Sequence, residues 1–152
     1  GLDKKTILED FVAESFGKVF AYHGDEIVGM ELLFKRTIEF AGREIVLGGI
    51  GAICVAEAMR GRGIATQMMR KGLEVLQQEQ CDIACLNADP PVGIPLYEKV
   101  GFTLMDREVS FENAMGEIKY KTGSMFIPIC SEEAYGYVMK RSETFHYGKG
   151  YW

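Results

Sequence analysis

The sequence predicts a single mixed α/β domain organised around a βαβ crossover. Three observations carry this. Glu44 to Val55 is a strand-like run rich in Ile, Val and Gly. From Arg60 to about Gln80, Ile64, Met68, Leu73 and Leu76 recur at helical spacing, with Met69 and Val75 beside them. Ile83-Ala84-Cys85-Leu86 is then a short apolar run of the kind a buried strand carries. A strand, a long helix and a second strand in that order imply parallel pairing of the two strands. The 152 residues suit one domain at about 100–200 residues each, so 1–152 reads as one unit.

The remaining elements follow in order. Leu8, Phe11 and Val12 at i, i+3 and i+4 predict a short amphipathic helix over about Lys4 to Glu14, stopped by Ser15-Phe16-Gly17. Val19 to Tyr22 is strand-like, His23-Gly24-Asp25 is a turn, and Ile27 to Phe40 is a long strand, which together make a hairpin. Ala41-Gly42-Arg43 turns the chain into the Glu44–Val55 strand. After the crossover, Asp89-Pro90-Pro91 forces a break, Ile94 to Lys99 forms a short helix closed by Gly101, and Phe102 to Phe111 reads as one strand. Glu117 to Thr122 and Met125 to Cys130 are further strands. Ser131 is placed to cap a helix, with Glu132 and Glu133 at its positive end and Lys140 and Arg141 at the other. The chain closes on an aromatic tail, Phe145-His146-Tyr147-Gly148-Lys149-Gly150-Tyr151-Trp152.

Composition narrows the function. Hydrophobic residues make up 47% and charged residues 26%, which is the balance of a globular chain. Seventeen Lys+Arg against 22 Asp+Glu give a net charge of −5, which argues against a nucleic-acid partner. No apolar run is long enough to span a bilayer and Gly1-Leu2-Asp3-Lys4-Lys5 is not a signal region, so the expectation is a cytoplasmic chain with no membrane partner. Cys54, Cys81, Cys85 and Cys130 are expected to be free thiols, with Cys54 and Cys130 inside apolar runs and therefore buried. His23 and His146 are the only histidines, and no spacing suits a metal, so no metal is expected. Gly48, Gly49 and Gly51 in a strand interior mark either tight packing or a place where a ligand nears the backbone.

The chemistry lies in Arg60-Gly61-Arg62-Gly63-Ile64-Ala65-Thr66, between a strand and the first turn of a helix. The free N–H groups of a helix start form an anion site, and the macrodipole strengthens it. Gly61 and Gly63 remove side chains from the approach, Arg60 and Arg62 add charge, and Thr66 adds a hydroxyl, so pyrophosphate is the natural ligand. Neither a G-x-G-x-x-G fingerprint nor a nucleoside-triphosphate P-loop is present.

These residues, followed by Leu96-Tyr97-Glu98-Lys99-Val100-Gly101-Phe102, resemble the GCN5-related N-acetyltransferase superfamily. Its acetyl-CoA motif [Q/R]-x-x-G-x-[G/A] is matched by Arg60, Gly63 and Ala65, and the likeness runs from about Val19 to Cys130. The resemblance implies a mixed, mostly antiparallel sheet splayed between its two central parallel strands, with helices on both faces. It also implies that acetyl-CoA is the co-substrate. Pantetheine would pair with the backbone of Ile53, Cys54 and Val55, and the amides from Arg60 to Thr66 (Gly61, Arg62, Gly63, Ile64 and Ala65 between them) would hold the pyrophosphate. Tyr97 would protonate the leaving thiolate while a small-molecule primary amine attacks directly. The same site without turnover would be an acyl-CoA-binding sensor.

The base is less defined. Many relatives carry a Glu near the position of Gly51, and here no acid lies between Ile45 and Ala56. Asp89 either faces the cleft or is a turn residue before Pro90. The end of the chain resembles the aminoglycoside 2′-N-acetyltransferases, which implies that a carboxylate at Trp152 binds or deprotonates an acceptor amine. The alternative is that Tyr151 and Trp152 pack on the domain. The resemblance implies a first strand and one or two helices ahead of the Lys4–Glu14 helix that this sequence does not contain, so either a shortened domain or a fragment is expected, and the sheet edge left exposed would favour a homodimer.

Overall fold

A computed structural model describes residues 9–88 and 90–152. Nine strands and three helices alternate along them: β1 (Gly17–His23), β2 (Glu26–Phe40), β3 (Arg43–Val55), α1 (Ile64–Gln78), β4 (Ile83–Asn87), α2 (Ile94–Val100), β5 (Thr103–Leu104), β6 (Val109–Glu112), β7 (Ile118–Lys121), β8 (Ser124–Pro128), α3 (Glu132–Lys140) and β9 (Phe145–Lys149). A six-stranded sheet has the order β1-β2-β3-β4-β8-β5, and a smaller one has the order β7-β6-β9.

Alternation along β2 sorts the core into two layers. Leu33 points toward α1 and packs with Ile50, Met69, Leu76, Ala84 and Leu86. Its neighbour Phe34 points the other way and joins Leu47, Cys85, Phe126, Phe145 and the aromatic tail. Because side chains on a strand alternate between faces, each apolar run in this sheet feeds both layers. Helices therefore cover both faces, α1 and α2 on one and α3 on the other.

The crossover produces the feature that matters for function. β3 and β4 are parallel, as expected, and pair through Leu47↔Ile83, Gly48↔Ala84 and Gly49↔Cys85. The pairing then stops. β3 continues to Val55 hydrogen-bonded only to β2, while β4 continues to Asn87 along β8. The sheet opens into a V, and backbone groups on the facing edges of both strands are left without a ladder partner.

Several expectations are corrected. The strand expected over Phe102–Phe111 is two strands in different sheets. The break falls where the Arg107 guanidinium donates from Nε to Glu143 O at 2.7 Å and from Nη2 to Val138 O at 2.5 Å, pinning a corner against the end of α3. The first part of the helix expected over Lys4–Glu14, residues 4–8, lies outside the described residues; Glu9 and Asp10 are helical and the chain has left the helix by Phe11. Gly17 opens β1 rather than closing that helix. Cys54 and Cys130 are exposed, whereas Cys81 and Cys85 are buried, and all four are free thiols. Cys54 sits beyond the point where β3 leaves β4, so its apolar neighbours in sequence have no second strand to bury against. Ser131 does cap α3, its hydroxyl accepting from Ala134 N at 3.0 Å.

Candidate active site

The V holds a cleft of about 290 Å³, lined by Ile50, Gly51, Ala52 and Ile53 from β3, Leu86 and Asn87 from β4, Pro90 and Val92 from the following loop, Tyr97 from α2, and Phe11, Tyr151 and Trp152. β3 is bulged here. Its register against β2 steps from Met30↔Cys54 to Leu32↔Gly51, so Ala52 and Ile53 both face Glu31, and Ala52 takes a positive φ of 50°. A bulge bends its strand and re-aims the backbone, and an alanine held in the left-handed region marks a constrained site.

A second hollow, about 180 Å³, lies beside the glycine–arginine loop and is lined by Val55, Met59, Arg60, Gly61, Gly63, Ile64, Ala65, Thr66 and Leu96. Its walls continue the first. Ile53 and Val55 are two apart on β3, and Leu96 and Tyr97 are adjacent on α2, with one of each pair in each hollow.

The loop has the geometry of an anion site. Gly61 and Gly63 both have φ of 77°. A Cβ at either would meet nothing within 4 Å, so the loop needs glycine for its left-handed backbone rather than for room. Gly63 caps α1 without a side-chain hydrogen bond, and the first intrahelical bond is Gln67 N–H to Gly63 O at 3.1 Å. The amides of Ile64, Ala65 and Thr66 precede that bond, at the positive end of the helix dipole. Arg60 donates from Nε to the Val55 carbonyl at 3.2 Å, tying the loop to the end of β3. Arg62 is exposed and lines neither hollow. Cys54 also lines neither, because it alternates to the opposite face from Ile53 and Val55.

Tyr97 is half-buried at the cleft, its ring over Gly93, where a Cβ would stand 2.7 to 2.9 Å from the Cε2, Cζ and hydroxyl oxygen. Burial raises its pKa above the ordinary 10, so the phenol keeps its proton at neutral pH. Asp89 lies outside the described residues.

The tail behaves differently from either sequence expectation taken alone. The Trp152 indole is buried, stacks on Phe34 with centroids 4.8 Å apart and planes at 8°, and donates from Nε1 to Cys85 O at 3.2 Å. A Cβ on Gly49 would lie 2.3 to 2.6 Å from that indole, and a Cβ on Gly48 3.1 Å from Leu76 and Cys81. Packing is thus the reason for these two glycines. The main chain of Trp152 nevertheless reaches the cleft beside Gly51, where its oxygen accepts from Asn87 Nδ2 at 2.5 Å.

Two residues escaped sequence reasoning. Asn87, at the end of β4, also donates to the Tyr147 hydroxyl at 3.3 Å, and its Oδ1 accepts from the buried Ser124 hydroxyl. Glu31, on β2 opposite the bulge, is fully buried, neither carboxylate oxygen has a hydrogen-bond partner, and burial pushes its pKa up to about 8. A lone acid inside Ile27-Val28-Gly29-Met30-Glu31-Leu32-Leu33-Phe34 was the available signal.

Residues 9–105 match the acetyltransferase (GNAT) domain family. The chain belongs to that family. Among curated proteins this GNAT chain is similar to the mycothiol acetyltransferases of Corynebacterium efficiens and Corynebacterium glutamicum, 33% and 30% identical over 96 residues. In each case the match takes in 62% of this chain and 30% of the relative, so the chain spans about a third of the curated relatives' length. A crystal structure of a GCN5-related N-acetyltransferase from Kribbella flavida is 26% identical, with a TM-score of 0.53 over 57% of this chain and 22% of that one. The GNAT family N-acetyltransferase YhbS of Escherichia coli, solved in complex with CoA, shares the fold at a TM-score of 0.60 over 88% of this chain and 67% of that one, with 17% identity. The splayed mixed α/β sheet is therefore the GNAT fold.

Proposed function

We propose that this GNAT chain moves the acetyl group of acetyl-CoA to a primary amine of a small molecule by direct attack. The observation that carries this is the start of α1 at the Gly61–Gly63 loop, which has no side-chain cap and borders a hollow whose lining residues Val55 and Leu96 neighbour Ile53 and Tyr97 of the V between β3 and β4. The residues present fit coenzyme A. Amides from Gly61 to Thr66 would hold its pyrophosphate, with Arg60 and Arg62 close by in the chain. The free edge of β3 at Ile53 to Val55 would align the pantetheine arm. That the YhbS structure contains CoA in the same fold supports this assignment.

Bound there, the co-substrate supplies a thioester carbonyl, and the chain's own groups do the rest. Amides at the bulged end of β3 stabilise negative charge developing on the carbonyl oxygen. The Tyr97 phenol, protonated at neutral pH, gives its proton to the leaving thiolate. The amine forms a bond to the acetyl carbon as the carbon–sulfur bond breaks, and its surplus proton passes to water. The Trp152 main-chain oxygen is engaged by Asn87, so its first role is to anchor the tail. The aminoglycoside reading of the acceptor rests on the C-terminal likeness alone. The test is thiol release from acetyl-CoA with a panel of amines, alongside calorimetric binding of coenzyme A. Turnover with an amine supports the transferase; tight binding without turnover on any amine leaves an acyl-CoA sensor.

A further inference from the structure

Trp152 bridges the V at its apex. β3 and β4 last pair at Gly49↔Cys85, and beyond that point no ladder bond fixes the distance between Gly51 on one edge and Asn87 on the other. On the β4 side, the Trp152 indole donates to Cys85 O at 3.2 Å, and its main-chain oxygen accepts from Asn87 Nδ2 at 2.5 Å. On the β3 side, a Cβ on Gly51 would lie 3.1 Å from the Trp152 Cβ and 3.4 Å from its carbonyl carbon. The Asn87 amide has one possible orientation. A main-chain oxygen only accepts, so Nδ2 must face it. The second N–H of Nδ2 is taken by the Tyr147 hydroxyl at 3.3 Å, and Oδ1 accepts from the buried Ser124 hydroxyl. One side chain therefore ties β4 to β8, to β9 and to the segment after β9.

Resting on the acetyltransferase reading above, we propose that Asn87 is a positioning residue for acetyl transfer: by holding the Trp152 main chain across the V, it sets the separation of the two edges between which thioester and amine meet. Gly51, Asn87, Trp152 and Tyr97 line one cleft. The amides of the bulge belong to β3, and Tyr97 belongs to α2, which follows β4 in the chain. The width of the V therefore sets the distance between the groups that act on the carbonyl oxygen and on the leaving sulfur. Direct transfer is sensitive to that distance, since a misplacement of about 1 Å can cost on the order of 10²-fold in rate. Asn87 acts through Trp152 rather than on the reacting atoms, because both of its N–H groups and its Oδ1 are already engaged. Coenzyme A affinity, in the same reading, rests on the loop around Gly61 and Gly63 at the other end of the groove. Binding and turnover should then respond separately to a change at Asn87.

The experiment compares the parent chain with Asn87→Asp, which keeps the size of the side chain, removes both N–H donors and sets an acceptor against the Trp152 oxygen. Trp152 is the only tryptophan, so its fluorescence reports the bridge directly. Thiol release from acetyl-CoA is followed with 2-phenylethylamine, spermine and kanamycin, and the amine the parent uses best serves for the kinetics. Asn87→Asp should shift the emission to the red, lower kcat/KM for that amine about tenfold to a hundredfold, and leave the calorimetric Kd of coenzyme A within about twofold. Burial raises the pKa of the new carboxyl, so lowering the pH returns an O–H donor to the Trp152 oxygen, and the emission should shift back. Ser124→Ala, which removes only the donor to Oδ1, should move emission and kcat/KM the same way by less, and it is the deciding variant where Asn87→Asp does not fold. An unchanged emission, or a shifted emission with unchanged kcat/KM, overturns the positioning role and leaves the acetyltransferase standing. A coenzyme A Kd that weakens as much as kcat/KM falls makes Asn87 a support of the whole fold and overturns the role as well. Bound coenzyme A with no thiol release by the parent on any of the three amines overturns both readings.

Discussion

Glu31 and Gly72 are a matched pair across the β2–α1 interface: a Cβ on Gly72 would lie 2.7 Å from Glu31 Oε1. The helix interior gives up about 1 kcal/mol by carrying glycine instead of alanine, and the space so released holds a carboxyl group that no donor satisfies. The group tolerates this because it is neutral. Its pKa of about 8, against 4.5 in the unfolded chain, leaves it mostly protonated at physiological pH.

That shift sets a pH dependence. The folded state holds a proton that the unfolded chain releases near 4.5, so Glu31's contribution is fully present below about 4.5 and is lost as pH rises to about 8. The slope is at most about 1.4 kcal/mol per pH unit. Urea unfolding of Glu31→Gln should show a flatter stability profile across this window and a protein more stable than the parent at its upper end. Parallel profiles for the two proteins would mean that the carboxyl is not held neutral.

The packing of Trp152 on the Gly49 backbone makes a second prediction. Gly49→Ala drives a methyl into the indole and should cost about 1–3 kcal/mol, as overpacking does. Combined with Trp152→Ala, the loss should be well below the sum of the two single changes, because the clash partner is gone. Strict additivity in denaturant melts would place the indole elsewhere.

For the loop, Arg62→Ala should weaken coenzyme A binding by about 1.5–3 kcal/mol if the guanidinium meets phosphate, with the loss shrinking at high salt. Arg60→Ala also removes the hydrogen bond to Val55 O, so it should both weaken binding and loosen the loop. Calorimetry at two ionic strengths separates these effects, and an unchanged Kd for Arg62→Ala would exclude that residue from the phosphate site.

Tyr97→Phe should lower kcat about 10²–10⁴-fold, the usual worth of a general acid, while leaving the coenzyme A Kd alone. Because burial holds the phenol above its ordinary 10, any alkaline limb in kcat due to Tyr97 should lie above that value. A full rate with phenylalanine would show that another group protonates the thiolate.

The parts legible in the sequence were local ones. The order strand, helix, strand depends on periodicity within each segment; the strands expected over Glu44–Val55 and Ile83–Leu86 fall within a residue of their observed places, and the helix ends within two residues of the expected Gln80. The shape of the glycine–arginine loop was legible because it comes from consecutive residues: Gly61 and Gly63 turn the backbone, and the helix that follows starts without a side-chain cap. Cys54 was misplaced because an apolar neighbourhood in sequence implies burial only where a strand has partners on both sides, and β3 has lost one by that point.

By itself, then, the sequence determined the strand–helix–strand order of the βαβ core and the left-handed glycine turn into α1, since each is set by periodicity or backbone preference within a few residues. Only the tertiary structure decided that Trp152 packs against Gly49, that Gly72 makes room for Glu31, and that Asn87 holds the tail at the cleft. Those contacts join segments far apart in the chain. Whether two such segments meet is set by strand register and by where the V opens, which no local pattern records.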